Sequence, residues 1–122
     1  MVQVFDAGVG DHKIYDKVFG RVQTAATFTS AFREHFLLGS STLASSFYSQ
    51  VIDLIGVLEN AHVRLISASV ILIYESSPRT AAIQPLVRLI DFAHSVAGEG
   101  IGKDESVIFG LQSLARVLQE CM

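Results

Sequence analysis

Residues 87–95 read V-R-L-I-D-F-A-H-S, and this stretch decides how the rest of the chain is interpreted. A mostly apolar run, typical of a strand, ends in one carboxylate, Asp91, and a histidine, His94, follows shortly. Removing an unpaired carboxylate from water is costly, so such an acid is usually hydrogen-bonded, paired or bound to a metal. Carboxylates of this kind position magnesium against nucleotide phosphates in phosphoryl-transfer enzymes. Asp91 is therefore the first candidate site residue, although capping of the following turn is the commoner role for such an aspartate.

Two apolar stretches surround a loop that contains both prolines. Residues 63–75 are mostly apolar on both alternating faces, which predicts a central strand covered on both sides. Residues 76–85 form a polar loop that proline keeps out of any sheet. Residues 86–92 then resume as a strand, the antiparallel partner of the first. A further short strand begins at Val2 and runs into a turn at residues 8–11.

Three other segments have the apolar spacing of amphipathic helices. The first is capped by Thr24 or Thr27 and ends at Gly39. The second runs to about Asn60, and the third begins at Asp104, where acidic residues favour the helix dipole. Their apolar stripes are Phe28, Phe32 and Phe36; Leu43, Phe47, Val51, Leu54 and Leu58; and Val107, Leu111, Leu114 and Leu118. The fold prediction is a single α+β domain, residues 1–122, with an antiparallel sheet and packed helices.

Composition limits the partners that the chain can have. With 122 residues it forms one domain, and its hydrophobic content is 50% against 17% charged residues. Because average domains carry about 25% charged residues, we expect part of the surface to be covered by another chain or by a further part of its own. The net charge of −3 argues against nucleic-acid partners. The most apolar run is too short to span a membrane, and without a visible signal peptide we expect an intracellular location.

Four sequence blocks in shared order resemble the inositol polyphosphate kinase family. Residues 16–21, D-K-V-F-G-R, are similar to D-K-Y-F-G-R, and residues 64–74, R-L-I-S-A-S-V-I-L-I-Y, to R-F-Y-S-S-S-L-L-V-I-Y. Residues 90–95 match I-D-F-A-H-S, and residues 104–111, D-E-S-V-I-F-G-L, resemble D-E-G-Y-I-F-G-L. The resemblance covers almost the whole chain and implies the fold of the C-terminal lobe of such a kinase.

The resemblance also implies roles for particular residues. In that family the aspartate of I-D-F binds magnesium, which falls on Asp91, and the serine-rich strand lines the ATP pocket, which falls on Ser67 and Ser69. The histidine of the same block lies near the reacting phosphate, which makes His94 the catalytic candidate. Because Asp91 would share a strand face with Val87, we expect it to be half-buried.

The early part of the chain holds the only concentrated positive charge. Lys13, Lys17 and Arg21 are spaced four residues apart around a turn predicted at residues 19–20. Lys17 and Arg21 are the candidates for contacting an anionic inositol phosphate. A solvated turn that binds nothing is the commoner explanation of such a pattern.

The sequence leaves three functions open. The family's nucleotide-binding lysine belongs to an N-terminal lobe, and its substrate motif P-x-x-x-D-x-K-x-G precedes the matched region; neither is found in these 122 residues. Ala68 and Ser106 also depart from the family blocks. We therefore expect a truncated, non-catalytic structural or accessory subunit whose N-lobe face is covered by another protein chain. The alternative is the C-terminal lobe of an active Mg- and ATP-dependent kinase, and a regulatory module that binds inositol phosphate stands third.

Overall fold

The computed structural model describes residues 2–6, 10–75 and 84–122 of the chain. The elements in chain order are β1 (Val2–Asp6), β2 (Asp11–Tyr15), α1 (Lys17–Arg21), α2 (Ala25–Ala31), a π-helical turn (Phe32–Phe36), α3 (Ser41–Glu59), β3 (Val63–Arg64), β4 (Ser69–Ile73), β5 (Leu86–Ile90), β6 (Val96–Ala97) and α4 (Glu105–Glu120). In the described ranges the strands form three two-stranded antiparallel sheets, β1–β2, β3–β6 and β4–β5. The α+β prediction is confirmed, with the antiparallel pairing divided among small sheets.

The two long helices α3 and α4 pack against each other and hold the centre of the core. Phe47 and Val51 on α3 and Leu118 on α4 each have 0% exposed surface. Burying a side chain of this size stabilises the fold by about 1.5–3 kcal/mol. Helix α4 begins after Asp104, as predicted, and Ser40 caps α3 by accepting a hydrogen bond from the Leu43 N–H at 3.2 Å.

An aromatic column links α2 to the core. Phe28, Phe32, Phe36 and Phe47 follow one another with ring centroids 5.9, 5.1 and 5.7 Å apart. The predicted helix is present, but after Ala31 it widens into the π-helical turn, where the Leu37 N–H donates to the Phe32 carbonyl at 3.0 Å. The π-helical turn ends at Phe36, and Gly39 follows with a positive φ of 74°, a conformation that glycine adopts without steric cost.

The tyrosine that follows β4 ties the sheet to this turn. The Tyr74 hydroxyl donates a hydrogen bond to the Phe36 carbonyl at 2.6 Å. The Tyr74 ring also meets the Phe36 and Phe47 rings edge-on, at centroid distances of 5.3 and 6.4 Å. Burial raises the pKa of the Tyr74 hydroxyl above its ordinary value of 10.0.

The prediction of one strand over residues 63–75 is wrong. Two separate strands, β3 and β4, occupy this range, and Ser67 between them has a φ of 61° that no β-strand tolerates. The predicted cover on both sides is wrong as well. Val87 on the inner face of the β4–β5 sheet is buried, whereas Ile73 and Ile90 on the outer face are 49% and 43% exposed within the part of the chain that the structure describes.

The structure also differs from the predictions near the N-terminus. The turn predicted at residues 19–20 lies within the short helix α1, which Asp16 caps by accepting from the Phe19 N–H at 2.9 Å. Strands β2 and β6 were not predicted, since they are short and mixed in polarity. Parts of the predicted segments at residues 8–11 and 76–85 lie outside the described residues. No described helix combines the length and the hydropathy that a bilayer crossing requires.

Candidate functional site

The predicted site residues lie where a long antiparallel hairpin is interrupted. The β3–β6 ladder ends at the pair Arg64 and Val96, and the β4–β5 ladder begins at the pair Ser69 and Ile90. Between the ladders, four residues (65–68) on one side lie opposite five residues (91–95) on the other. We call these two segments the hairpin break. The extra residue makes the interruption asymmetric, as in a bulge, and bulges are common beside active sites because they redirect side chains.

The backbone of the hairpin break is unusual on both sides. Ser67 and Asp91 have φ values of 61° and 69°, in the left-handed region that residues with a side chain rarely adopt. The Ser95 N–H donates to the Phe92 carbonyl at 3.0 Å and closes the turn that contains His94. Left-handed residues that are not glycine concentrate at functional sites, where the surrounding fold maintains them. Of the three such residues in the described ranges, Leu38 follows the π-helical turn and the other two lie in the hairpin break, which supports the hairpin break as the candidate site.

The structure brings four of the predicted site residues to this one place. Asp91, His94 and Ser67 belong to the hairpin break, and Ser69 is the first residue of β4 at its edge. All four side chains are exposed. They are thus available to a ligand, and none of them is part of the core.

The expected half-burial of Asp91 is wrong for a local reason. The strand β5 ends at Ile90, one residue before Asp91, and the backbone then turns into the left-handed region. The alternation that would have placed Asp91 beside Val87 on the inner face no longer applies beyond the strand. Among the described residues, the Asp91 carboxylate makes no hydrogen bond that would cap the turn.

A glutamine that sequence reasoning missed holds β5 in place. The Gln50 Nε2 on α3 donates to the Pro85 carbonyl at 2.7 Å, and its Oε1 accepts from the Val87 N–H at 3.0 Å. The amide therefore satisfies two backbone groups on the edge of β5 that faces away from β4, and it blocks strand addition there. The only signal in the sequence is a polar residue next to Val51 in the apolar stripe of α3.

An aspartate holds the other side of the hairpin break. The Asp104 Oδ2 accepts from the Leu65 N–H at 2.8 Å, and its Oδ1 accepts from the Val107 N–H at 3.2 Å. Its side chain is 8% exposed, which makes it the one buried charged residue in the described ranges. The sequence predicted its place at the start of α4, but not its bond to Leu65.

The donor set suits a cation that shares its coordination with a ligand. Within residues 2–6, 10–75 and 84–122, no group of three or more His, Cys, Asp or Glu side chains could hold a metal. Asp91 is the one carboxylate in the two segments of the hairpin break. Magnesium is commonly bound through one or two carboxylates, with phosphate oxygens and water completing its coordination. The site thus fits magnesium bound together with a nucleotide, and does not fit a dedicated protein cage.

The predicted anion-contacting residues lie on a different part of the fold. Lys17 and Arg21 are exposed on α1, which packs against β2. The Phe19 ring of α1 lies 4.8 Å from the Tyr15 ring and 5.5 Å from the His35 ring of the π-helical turn. These contacts attach α1 to the N-terminal hairpin and the π-helical turn, whereas β5 packs against α3.

Comparison with known proteins assigns the class. The family model for inositol polyphosphate kinase matches residues 2–119, so the chain belongs to the inositol polyphosphate kinase family. This confirms the resemblance of the four sequence blocks. No curated protein sequence matches the chain significantly.

Two solved structures are similar to this fold. One is the inositol phosphate multikinase Ipk2 of S. cerevisiae in complex with ADP and Mn²⁺; it is 24% identical, with a TM-score of 0.80 over 97% of this chain and 54% of that one. The other is an inositol phosphate multikinase that is 20% identical, with a TM-score of 0.78 over 98% of this chain and 59% of that one. The likeness confirms the fold, and the chain spans little more than half the length of these two kinases.

Proposed function

We propose that this chain is the magnesium- and nucleotide-binding lobe of an ATP-dependent inositol polyphosphate kinase, with Asp91 as the metal ligand. The observation that carries the proposal is the state of Asp91: an exposed carboxylate in a left-handed conformation in the hairpin break between two ladders. Aspartate adopts the left-handed conformation more readily than most residues, and at Asp91 this conformation leaves the carboxylate exposed to a ligand. A metal ligand must face the solvent until its cation and nucleotide arrive.

The residues around Asp91 can receive a nucleotide. Ser69 pairs with Ile90 across the β4–β5 ladder, so the two share the outer face of this sheet. That face combines a hydroxyl with exposed aliphatic groups, as a site for a flat apolar base with polar edges requires. When bound, magnesium would neutralise phosphate charge in the transition state.

Two of the other candidates have supporting roles in this proposal. His94 lies three residues after Asp91 in the turn closed by Ser95, where an imidazole can donate a hydrogen bond to a phosphate oxygen. Ser67, beside Ser69, offers a second hydroxyl at the same end of the sheet. Lys17 and Arg21 lie on α1, outside the hairpin break, so this proposal gives them no contact with the nucleotide.

A non-catalytic accessory subunit is the second candidate, because exposed aliphatic side chains lie beside Ser69 and Arg88 on the outer face of the β4–β5 sheet. Ile73, Leu86 and Ile90 are 49%, 38% and 43% exposed on this face. A permanent protein partner would cover such a surface. If the chain is an accessory subunit, the outer face of the β4–β5 sheet binds a second protein chain in place of a nucleotide.

Binding of Mg–ATP to the 122-residue chain tests the proposed site directly. We expect calorimetric titration to detect ATP binding that requires magnesium, and Asp91→Asn to weaken it at least about tenfold, equivalent to about 1.4 kcal/mol. Asp53→Asn is the matched control, because Asp53 is an exposed carboxylate on α3. Unchanged affinity in Asp91→Asn contradicts the assignment of the metal ligand. A folded chain that binds no Mg–ATP contradicts the proposal that these residues form a nucleotide-binding lobe.

A further inference from the structure

We infer that Asp104 is a positioning residue for the candidate site, an inference that rests on the proposed function. Asp104 joins the start of α4 to the four-residue side of the hairpin break through its bond to Leu65. In this role its carboxylate fixes where Ser67 and Ser69 lie relative to Asp91. It acts through the backbone and does not itself contact the nucleotide.

The side chain of Asp104 is suited to such a link. Its two oxygens each accept one backbone N–H, from Leu65 at 2.8 Å and from Val107 at 3.2 Å. Its charge lies at the N-terminus of α4, where the helix dipole favours an anion. These interactions offset the cost of burying a carboxylate. Each bond uses a different carboxylate oxygen. A side chain that is shorter, or that is neutral with one acceptor oxygen, therefore cannot make both bonds.

The bond to Leu65 occupies a backbone group that the β3–β6 ladder leaves free. The Gly98 N–H donates to the His62 carbonyl at 3.1 Å, so His62 directs its backbone groups toward β6. Successive residues of a strand direct these groups to opposite edges, and Leu65, three residues later, therefore faces away from β6. Asp104 meets the N–H at that edge, where a buried donor without a partner would cost about 1–3 kcal/mol.

The path from Asp104 to the candidate site is short. Leu65 opens the hairpin break, Ser67 is two residues further on in its left-handed conformation, and Ser69 begins β4. Ser69 pairs with Ile90, and Asp91 is the next residue. A shift of Leu65 relative to α4 would therefore move both serines against the carboxylate. Groups that hold metal ligands in place typically change metal affinity by about 10–100-fold when they are mutated, and Asp104, which acts from further away through residues 65–69, should fall at the lower end of this range.

Ser40 provides a control that separates positioning from ordinary helix capping. Ser40 caps α3 through one bond, from the Leu43 N–H at 3.2 Å, and has no second oxygen to join another segment. Ser40→Ala thus removes a cap of the same type as that of Asp104. Asp104→Ser keeps the cap and removes the bond to Leu65, because serine is an equally good cap but is too short to reach Leu65. Asp104→Asn is a second variant of nearly unchanged size, and its one carbonyl oxygen can accept from only one of the two N–H groups.

The experiment measures three properties of the wild-type chain and these variants: the Kd for Mg–ATP, thermal stability, and amide hydrogen exchange by NMR. We expect Asp104→Ser and Asp104→Asn to weaken Mg–ATP binding by about tenfold or more. Amide exchange should rise in residues 65–69 and 90–95. Ser40→Ala should lose thermal stability while its Kd and its exchange in these two segments stay at wild-type values.

Each result has a distinct meaning. If the folded Asp104 variants bind Mg–ATP as tightly as Ser40→Ala does, the positioning role is wrong while the proposed function stands. If the wild-type chain binds no Mg–ATP, the proposed function fails, and hydrogen exchange alone decides the inference. Exchange that rises equally throughout the chain in the Asp104 variants then overturns it, and a rise confined to the hairpin break supports it.

Discussion

The helical layer and the hairpin break follow opposite rules. In the layer formed by α3 and α4, Phe47 and Leu118 have no exposed surface, and apolar spacing, caps and packing all favour the same structure. In the hairpin break, Phe92 is 51% exposed, Asp91 is an exposed charge, and the backbone is left-handed on both sides. Local sequence preference and the observed conformation agree in the first region and conflict in the second.

The difference shows where the fold acquires stability and where it can support a ligand. Residues that conflict with local preference persist only when the rest of the structure holds them. Here Gln50 on α3 holds β5 and Asp104 at the start of α4 holds the opposite segment. The two helices are therefore more than a core, since each contributes one polar side chain that fixes one side of the candidate site.

The largest effect is expected from the helical layer. Phe47→Ala removes a ring with 0% exposure from the aromatic column and should lower the free energy of unfolding by about 3–5 kcal/mol. This is a large part of the stability of a domain, typically about 5–15 kcal/mol. Phe109→Ala is the control, because this ring on α4 is 65% exposed and its loss should change stability by about 0.5 kcal/mol or less. Urea denaturation measures both, and equal losses would contradict the assignment of the core.

A smaller effect, dependent on pH, is expected at Tyr74. Tyr74→Phe removes the 2.6 Å hydrogen bond to the Phe36 carbonyl and should cost about 1 kcal/mol near neutral pH. Burial raises the pKa of Tyr74 in the folded chain, so the unfolded chain loses this proton first as pH rises. The stability that Tyr74 contributes is complete below its unfolded pKa of 10.0 and falls as pH increases toward the higher folded pKa.

Urea denaturation at about pH 8 and about pH 11 checks this sign. The wild-type chain should lose more stability between the two conditions than Tyr74→Phe does. Tyr48→Phe is the control, because Tyr48 is also half-buried and its variant keeps Tyr74. Cys121, whose thiol pKa burial also raises, is present in all of these chains and cancels in the comparison. Equal alkaline losses in the wild-type chain and in Tyr74→Phe would show that Tyr74 does not cause them.

The helices could be predicted because their signals are local. The caps Thr24, Ser40 and Asp104 and the four- and three-residue apolar spacing lie within the segments that they define. The division of residues 63–75 into two strands could not be predicted this way. It depends on the positive φ of Ser67. It also depends on the four residues 65–68 lying opposite the five residues 91–95, which are distant in sequence. Apolar residues on both faces indicated a doubly covered strand, yet one face has no cover in the described part of the chain.

The residues of the candidate site could be predicted from local sequence, whereas their exposure and the residues that support them could not. The sequence blocks identified Asp91, Ser67, Ser69 and His94, and the structure places all four at one end of the β4–β5 sheet. Their exposure was not predicted, because it depends on β5 ending at Ile90. The supporting residues were missed since their partners are distant: 35 residues separate Gln50 from Pro85, and 39 separate Leu65 from Asp104.

The smallest effect on stability is expected at Asp91 itself, and it tests the contrast between the two regions most directly. Asp91→Gly replaces a left-handed residue by the one that adopts this conformation without steric cost. The relief of about 1–2 kcal/mol at most is offset by about 0.5–1 kcal/mol of extra entropy in the unfolded chain. The free energy of unfolding should therefore change by less than about 1 kcal/mol while Mg–ATP binding is lost. Asp91→Ala, which keeps a Cβ, should be the less stable of the two. A loss of more than about 2 kcal/mol in Asp91→Gly, measured by urea denaturation, would instead indicate that the carboxylate caps the turn, because only a lost structural bond could outweigh the relief of strain.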